Sequence, residues 1–294
     1  MTGVRQQIVV GLDGSPESLI AARWAAGEAE LRHLSLQLVH AFDIPVVGML
    51  GYTIPTELSD GMYDHGHKLL ADAAQEIRQD HPGLQVDSKL VRADPRPVLV
   101  EASERAVLTV VGTRGGGRIP EAILGSVALH ICAHGRSPVA VIPTGTRVDP
   151  AGPVLLGVDG SRTSEAAVAF AFDEADRRGA ALRAVLVWDD VALRGLAGVD
   201  SMIKLEDEEE HTLLAEQLAG WREKYPDVQV EPIVRRGRAA EALLRHDPSA
   251  PAPQLIVVGS RGRGGFAGLL LGSTSHALIG HSRWPVVVVR GTAH

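Results

Sequence analysis

The sequence predicts an α/β protein built from two tandem domains, each a five-stranded parallel sheet flanked by four helices. Three observations lead to this fold class. The chain has 294 residues, enough for two domains of ordinary size. Its halves repeat the same motifs at a separation of about 147 positions. Within each half, short apolar runs alternate with longer segments of helical periodicity, which is typical of parallel strands joined by right-handed helical crossovers.

The domain boundary falls in a segment rich in proline and glycine. Residues 144–153 read Thr-Gly-Thr-Arg-Val-Asp-Pro-Ala-Gly-Pro and have no strand or helix periodicity. We therefore predict a first domain over residues 1–144, a linker over 145–153 and a second domain over 154–294.

Composition and charge narrow the class of protein. Hydrophobic residues make up 45% of the chain and charged residues 22%, and no apolar run approaches the roughly 20 residues of a membrane span. The first residues lead directly into an apolar strand, unlike a signal peptide, so we expect a cytoplasmic location. A net charge of −7 disfavours nucleic acid and anionic membranes as partners. Cys132 is the only cysteine, which excludes an intrachain disulfide.

The first strand of each half ends in an Asp-Gly-Ser turn. The apolar run at 8–12 stops at Asp13, and the run at 155–158 stops at Asp159. Ser15 is predicted to cap the helix that follows the first turn. The carboxyl ends of parallel strands form the ligand crevice of open sheets, so both aspartates are candidates for binding ribose hydroxyls or a metal. The alternative is that each carboxylate only accepts hydrogen bonds from turn amides.

The second strands, predicted at 36–42 and 182–188, lead into the least regular part of each half. Residues 44–61 contain two prolines and three glycines, so we interpret them as a long loop suited to act as a lid. The matching segment of the second half, 190–200, is shorter.

The remaining elements follow in the same order in both halves. Helices are expected at 62–79 and 201–225, third strands at 85–91 and 228–234, short helices after Asp94 and at 238–245, fourth strands at 107–111 and 255–258, helices at 126–135 and 273–282, and fifth strands at 138–142 and 285–289.

A glycine-rich loop joins the fourth strand to the next helix in each half. The first loop runs from Gly112 to Ser126 and the second from Gly259 to Ser273. Such a loop brings backbone N–H groups to a helix N-terminus, where the helix dipole favours negative charge, and the final serine is expected to cap the helix. The loops also carry the arginines Arg114, Arg118, Arg261 and Arg263. This chemistry is suited to binding phosphate.

Other phosphate-binding and catalytic motifs fit the chain poorly. Neither loop contains the lysine of a Walker A motif. Residues 262–267 match the dinucleotide pattern G-x-G-x-x-G/A, but the first copy has Pro120 at the last position, so we interpret the match as accidental. No G-x-S-x-G nucleophile motif occurs. His65 and His67 are two positions apart and do not share a helix face, which disfavours a metal site.

The spacing Gly-x2-Gly-x9-Gly-Ser, together with Asp-Gly-Ser after the first strand, resembles the ATP-binding class of the universal stress protein family, here in tandem. Residues 112–126 and 259–273 both fit the full pattern, and the resemblance covers essentially the whole chain. It implies a Rossmann-like fold and one ATP per domain, carried with Mg²⁺. The first loop differs in carrying Glu121, which would disfavour phosphate if it faced inward, so the two affinities can differ.

The resemblance also implies roles for individual residues. Asp13 and Asp159 would contact ribose, the backbone of Ala41 and Val187 would contact adenine, and the Gly-Ser steps at the loop ends would bind phosphates. The candidate residues of the first domain are Gly11, Asp13, Ala41, Gly112, Thr113, Arg114, Gly115, Gly116, Gly117, Arg118, Gly125, Ser126 and Val127. Those of the second are Gly157, Asp159, Val187, Gly259, Ser260, Arg261, Gly262, Arg263, Gly264, Gly265, Gly272, Ser273, Thr274 and Ser275.

From these residues we expect an ATP-binding regulator of stress responses or signalling, with slow or no ATP hydrolysis. The resemblance implies a homodimer, and a compact monomer is the alternative. No catalytic residue, water-positioning group or protein metal site is recognised. Two alternatives remain open. One is a nucleotide-dependent hydrolase or transferase that uses the same loops, and the other is an interaction module whose loops bind no nucleotide. The sequence does not identify a downstream protein partner.

Overall fold

The computed structural model describes residues 7–43, 56–113, 124–146, 150–161, 164–188, 200–262 and 271–291. The chain divides into two compact units, Met1–Thr144 and Gly145–His294. We refer to them as unit 1 and unit 2.

Unit 1 is an open parallel sheet with helices between successive strands. Its described strands are β1 (Gln7–Leu12), β2 (Ser35–Phe42), β3 (Val86–Arg92), β4 (Ala106–Gly112) and β5 (Val139–Ile142). Its described helices are α1 (Pro16–Leu31), α2 (Thr56–Asp80), α3 (Pro95–Ser103) and α4 (Ser126–His134). The strands lie in the order β3-β2-β1-β4-β5, and every pair is parallel.

Unit 2 repeats this arrangement. Its described strands are β6 (Val154–Val158), β7 (Leu182–Trp188), β8 (Val230–Arg236), β9 (Leu255–Gly259) and β10 (Val286–Val289). Its described helices are α5 (Glu165–Arg178), α6 (Asp200–Lys224), α7 (Ala239–Leu244) and α8 (Ser273–His281). The order is β8-β7-β6-β9-β10, again all parallel. The predicted fold class is confirmed.

The strand order places a switch point in each unit. After β1 the chain adds β2 and β3 on one side and then returns to add β4 and β5 on the other. The helices that follow β1 and β4 therefore leave the sheet in opposite directions, which opens a crevice at the carboxyl ends of these two strands. In unit 2 the equivalent crevice lies between β6 and β9.

Both faces of each sheet are covered by helices. In unit 1, α1 packs with α2 and α3 packs with α4, and both pairs contact the strands. Ile8, Val9 and Val10 consequently have no exposed surface, although neighbours along a strand point to opposite faces. This explains why central strands such as β4 are continuous apolar runs, without the alternating pattern of a half-exposed sheet, whereas β3 is polar and largely exposed.

One buried ion pair recurs in both units near the end of the first helix. Arg32 Nε lies 2.5 Å from Glu28 Oε1, and Arg178 Nε lies 2.8 Å from Glu174 Oε2. The carboxylate side chains are only 2% and 1% exposed. Since a buried carboxylate is costly without a partner, each arginine offsets the desolvation of its glutamate.

The observed helix α2 is longer than the sequence predicts. It begins at Thr56, so the expectation of a loop through residue 61 was wrong for its last six positions. A single glycine costs a helix only about 1 kcal/mol, and Gly61 is tolerated because the rest of α2 buries Leu70, Ala74 and Ile77. The other part of the predicted lid, residues 44–55, lies outside the described residues, as do residues 189–199. No described helix is long and apolar enough to cross a bilayer.

Candidate functional site

The Asp-Gly-Ser turns have the same hydrogen bonds in both units. Asp13 Oδ1 accepts from Ser15 N at 3.0 Å and Ser15 Oγ at 2.6 Å. Asp159 Oδ1 accepts from Ser161 N at 3.0 Å and Ser161 Oγ at 2.7 Å. The glycine between them has a φ of 82° in unit 1 and 77° in unit 2, a left-handed conformation that favours glycine. One oxygen of each aspartate therefore stabilises its own turn by accepting hydrogen bonds, as the alternative to ligand binding expects.

The other carboxylate oxygen of Asp159 faces the glycine loop. A Cβ atom added to Gly262 would lie 2.6 Å from Asp159 Oδ2, closer than any real side chain approaches. A side chain at position 262 would thus have to displace the Asp159 carboxylate from this place. Two motifs that are far apart in the sequence meet at the carboxyl ends of β6 and β9.

A hydrogen bond closes the base of each glycine loop. Gly125 N donates to Thr113 O at 2.9 Å, and Gly272 N donates to Ser260 O at 2.7 Å. The residue that accepts is itself held to the sheet, because Thr113 N donates to Ile142 O and Ser260 N to Val289 O. The end of the fourth strand and the start of the following helix are therefore held together in each unit.

The helices after the loops begin differently from the prediction. Gly125 and Gly272 occupy the N-cap positions of α4 and α8, with no side-chain capping bond, and the serines are the first helical residues. The expectation that Ser126 and Ser273 cap these helices was wrong. The reason is that the loop-closing hydrogen bond places the glycine at the cap. A glycine has no side chain to accept from the first-turn N–H groups, which are therefore open to an acceptor from a ligand.

Unit 2 contains a cavity of about 440 Å³ at these strand ends. It is lined by residues from β6, β7, β9, α7, α8 and the glycine loop. The lining residues are Gly157, Val158, Asp159, Ser164, Val185, Val187, Ala239, Leu243, Val258, Gly259, Arg261, Gly262, Leu271, Gly272, Ser273, Thr274 and Ser275. One part of this wall is aliphatic, and the other consists of glycines, hydroxyl groups and two charged residues, Asp159 and Arg261.

The aliphatic part is built around Leu243 of α7. A Cβ on Gly157 would lie 2.9 Å from Leu243 Cδ1 and 3.0 Å from Val258 Cγ1. Gly157 thus lets the leucine reach the sheet. Unit 1 has the same packing, since a Cβ on Gly11 would lie 2.9 Å from Leu99 Cδ1. In both units the glycine shapes an apolar floor.

The polar part lies at the start of α8. Ser275 is buried, and its Oγ donates to Gly259 O at 2.7 Å, which joins the first turn of the helix to the end of β9. Ser273 is exposed and Thr274 is half-buried. Arg261 is exposed at the rim and adds positive charge.

The structure brings most of the candidate residues of unit 2 together. Ten of them line the cavity, namely Gly157, Asp159, Val187, Gly259, Arg261, Gly262, Gly272, Ser273, Thr274 and Ser275. Ser260 is buried and contributes through its backbone at the loop base. Arg263, Gly264 and Gly265 lie outside the described residues.

The candidate residues of unit 1 occupy the corresponding strand and helix ends. Gly11 and Ala41 belong to β1 and β2, Asp13 follows β1, Gly112 and Thr113 end β4, and Gly125, Ser126 and Val127 begin α4. Arg114, Gly115, Gly116, Gly117 and Arg118 lie outside the described residues.

Sequence reasoning missed several lining residues. Val185 lies two positions before Val187 on β7, so the alternation of a strand could have indicated it. Ala239 and Leu243 are four positions apart on α7 and share a face, but the sequence does not show which face meets the crevice. Ser164 was missed because it lies three positions beyond Ser161, the last residue of the turn that carries the motif.

Two titratable groups of the described residues have pKa values far from their usual range, and both lie outside the lining of the cavity. Burial raises the pKa of the Cys132 thiol to about 12, so it stays protonated and is a poor nucleophile. Hydrogen bonds from Arg96, including one from its backbone N at 2.8 Å, lower the pKa of Asp94 to about 2. His65 and His67 are exposed, and within the described residues no three His, Cys, Asp or Glu side chains form a group able to hold a metal.

Comparison with known proteins assigns the chain to a family. The sequence model of the universal stress protein family matches residues 5–143 and again residues 151–290. The chain belongs to the universal stress protein family. Universal stress proteins Rv2623 and Rv2005c of Mycobacterium tuberculosis are each 42% identical to it over 289 residues, covering 96% of both chains. The family assignment suggested by the glycine and aspartate spacing is confirmed.

Solved structures agree on the fold. A universal stress protein from Archaeoglobus fulgidus superposes with a TM-score of 0.70 at 20% sequence identity, covering 97% of this chain and 98% of the other. At that identity the likeness concerns the fold. In the chain described above, the cavity of unit 2 is lined by aliphatic side chains and by a helix N-terminus. It can therefore accommodate a ligand with an apolar ring and an anionic tail.

Proposed function

We propose that each unit binds one ATP, carried with Mg²⁺, and that the protein is a cytoplasmic regulator of stress responses or signalling with slow or no ATP hydrolysis. The observation that supports this most directly is the cavity of unit 2. Its aliphatic part suits a base, and its polar part suits phosphates. The names of the relatives, universal stress proteins, support the regulatory role.

The residues of the cavity fit ATP in three parts. Val185, Val187 and Leu243 would pack on the base. Asp159 Oδ2, beside Gly262, would accept from the ribose hydroxyls, and any larger residue at position 262 would occupy that space. The open N–H groups and hydroxyls of Gly272–Thr274 would bind the phosphates. Bound ATP supplies the phosphate charge that this helix N-terminus attracts, and the phosphates would carry the Mg²⁺.

Two features support binding without rapid turnover. Asp159 is engaged by Ser161 through one oxygen, which limits it as a base for activating water. The described cavity wall contains no lysine, histidine or glutamate. Phosphoryl transfer requires a positioned nucleophile and charge stabilisation, and the described part of the wall supplies Arg261 as its cation.

The test is to release and identify nucleotides from the purified full-length protein by gentle denaturation and mass spectrometry, and to titrate ATP by calorimetry. We expect two ATP per chain, and Asp159→Ala should remove one. Asp247→Ala is a matched control, because Asp247 forms the same turn with Ser249, at 2.9 and 2.7 Å, away from the cavity. A wild-type protein that neither retains nor binds nucleotide would contradict the proposal and favour an interaction module.

The same preparation distinguishes a regulator from an enzyme. Steady release of ADP that disappears when Asp13 and Asp159 are both replaced would favour a hydrolase or transferase.

We also propose, on the basis of the family resemblance, that the protein is a homodimer. Light scattering after size-exclusion chromatography would test this. A monomeric mass at all concentrations would contradict it.

A further inference from the structure

The first turns of α4 and α8 differ in their hydroxyl groups. Both helices follow the same closed loop and begin with the same Gly-Ser step. Unit 1 then continues with Val127 and Ala128, whereas unit 2 continues with Thr274 and Ser275. The cap residues Gly125 and Gly272 have similar backbone angles, with φ of −62° and −71°, so the two pairs of side chains that differ are presented in similar positions.

Ser275 makes the start of α8 more rigidly attached than the start of α4. Its hydroxyl is buried and donates to Gly259 O at 2.7 Å, so the helix N-terminus is joined to the strand end where the glycine loop begins. Ala128 is equally buried but cannot form this bond. Groups held in place before a ligand arrives lose less entropy on binding, which favours affinity in unit 2.

Thr274 adds a donor directed by the same turn. It is half-buried and lines the cavity. Within the described part of the chain, no protein hydrogen bond occupies its hydroxyl. Val127, at the same position of unit 1, has nearly the same shape but carries a methyl group in place of the hydroxyl. A hydroxyl next to a helix N-terminus is a suitable donor to a phosphate oxygen.

We infer that the two nucleotide sites are unequal and that unit 2 is the tighter site for ligands with a phosphate chain. Thr274 is the residue that determines this preference by donating to phosphate, and Ser275 is a positioning residue that fixes the turn. The inference rests on the proposed nucleotide binding. It implies that the first site empties before the second as ATP falls, so the protein would exist in three states of occupancy.

The test uses exchanges between the two units in the full-length protein. Calorimetric titration with ATP should show two classes of site, and Thr274→Val should weaken the tighter class about tenfold, since a hydrogen bond to a charged group is lost. Val127→Thr should strengthen the weaker class several-fold. The affinity for adenosine, which has no phosphate, should change little in either variant, because the hydrogen bond that is lost or gained is made to phosphate.

Ser275→Ala, with Ala128→Ser as its reciprocal, tests the positioning role. Ser275→Ala should weaken ATP binding and leave adenosine binding unchanged, a selectivity that a general loss of structure would not produce. To assign the classes, the titration is repeated with Gly262→Val, which leaves only unit 1 able to bind. The remaining class should be the weaker one.

Several outcomes would overturn the inference while leaving the proposed function intact. These are equal ATP affinities in the wild type, an equal loss of ATP and adenosine binding in Thr274→Val, or loss of the weaker class with survival of the tighter class in Gly262→Val. If the wild-type protein binds no ATP at all, both the inference and the proposed function are wrong.

Discussion

Units 1 and 2 have the same backbone arrangement but fill it with different side chains. The strand order, the Asp-Gly-Ser turn and the loop-closing hydrogen bond recur in both. Differences occur on the helices, where the positions of Ala26, Val127 and His130 in unit 1 correspond in sequence to Phe172, Thr274 and Ala277 in unit 2. The comparison teaches that the parts of the site made by the main chain are repeated faithfully, whereas those made by side chains differ and can give the two units separate properties.

The largest expected effect comes from closing one site and leaving the other open. In Gly262→Val, the new side chain would collide with Asp159 Oδ2, and we expect the bound nucleotide to fall from two per chain to one. Native mass spectrometry measures this ratio. Gly280→Val is the control, because a Cβ there meets nothing within 4 Å. Two nucleotides retained in Gly262→Val would show that the contact with Asp159 does not limit binding.

The second prediction concerns the helix packing of unit 2. Phe172 is fully buried and stacks on Trp221 and Tyr225, with ring centroids 6.1 and 5.8 Å away. The corresponding position of unit 1 is Ala26, so Phe172→Ala gives unit 2 the same residue type but leaves the space of an aromatic ring empty. We expect the free energy of unfolding to fall by about 4 kcal/mol in urea denaturation. A loss below about 1 kcal/mol would mean that α6 moves to fill the space left by the phenylalanine ring.

The third prediction compares the repeated ion pair. Arg32→Ala leaves Glu28 buried without this partner and should lower the free energy of unfolding by about 3 kcal/mol. Arg178→Ala should cost somewhat less, because its side chain is 11% exposed and that of Arg32 is 5%. Arg177→Ala is the control, since its pair with Asp173 is on the surface and is worth about 0.5 kcal/mol. Equal losses in all three variants would rule out burial as the cause.

The smallest effect should come from His130, whose position in unit 2 is taken by Ala277. Burial, and then the neighbouring His134 and Arg96, lower its pKa, while Asp94 opposes the shift. The unfolded chain therefore takes up a proton first as the pH falls through about 6.5, and the free energy of unfolding decreases. His130→Ala should show a smaller decrease between pH 7.5 and 5.5 in chemical denaturation. An unchanged pH dependence would assign the effect to other groups.

Much of the fold could be predicted because the repeat supplies the same information twice. Strand positions, the turn at Asp13 and the cap at Ser15 follow from local residue types, and Ser15 Oγ indeed accepts from Ser18 N at 3.2 Å. The family followed from the spacing of the glycines. These features depend on neighbours in the sequence and on backbone conformation.

The rest depends on contacts that local patterns do not contain. The closeness of Asp159 to Gly262, and of Gly157 to Leu243, arises only when the sheet is assembled. The serine caps were expected from propensity, but the hydrogen bond from Gly272 to Ser260 moves the cap to the glycine. A tertiary contact here overrides a local preference, and it leaves the helix open toward the crevice.

The closed base of each loop has a consequence for how the protein can change. Because the ends at Thr113 and Gly125, and at Ser260 and Gly272, are joined by a hydrogen bond, the residues between them can vary without moving the sheet. The cost of closing a loop grows only slowly with its length, so insertions there are well tolerated. The chain already differs at this point, with Ile-Pro-Glu at 119–121 and Phe-Ala-Gly at 266–268. Each loop is therefore a place where mutation or engineering can change the sequence while the sheet keeps its arrangement.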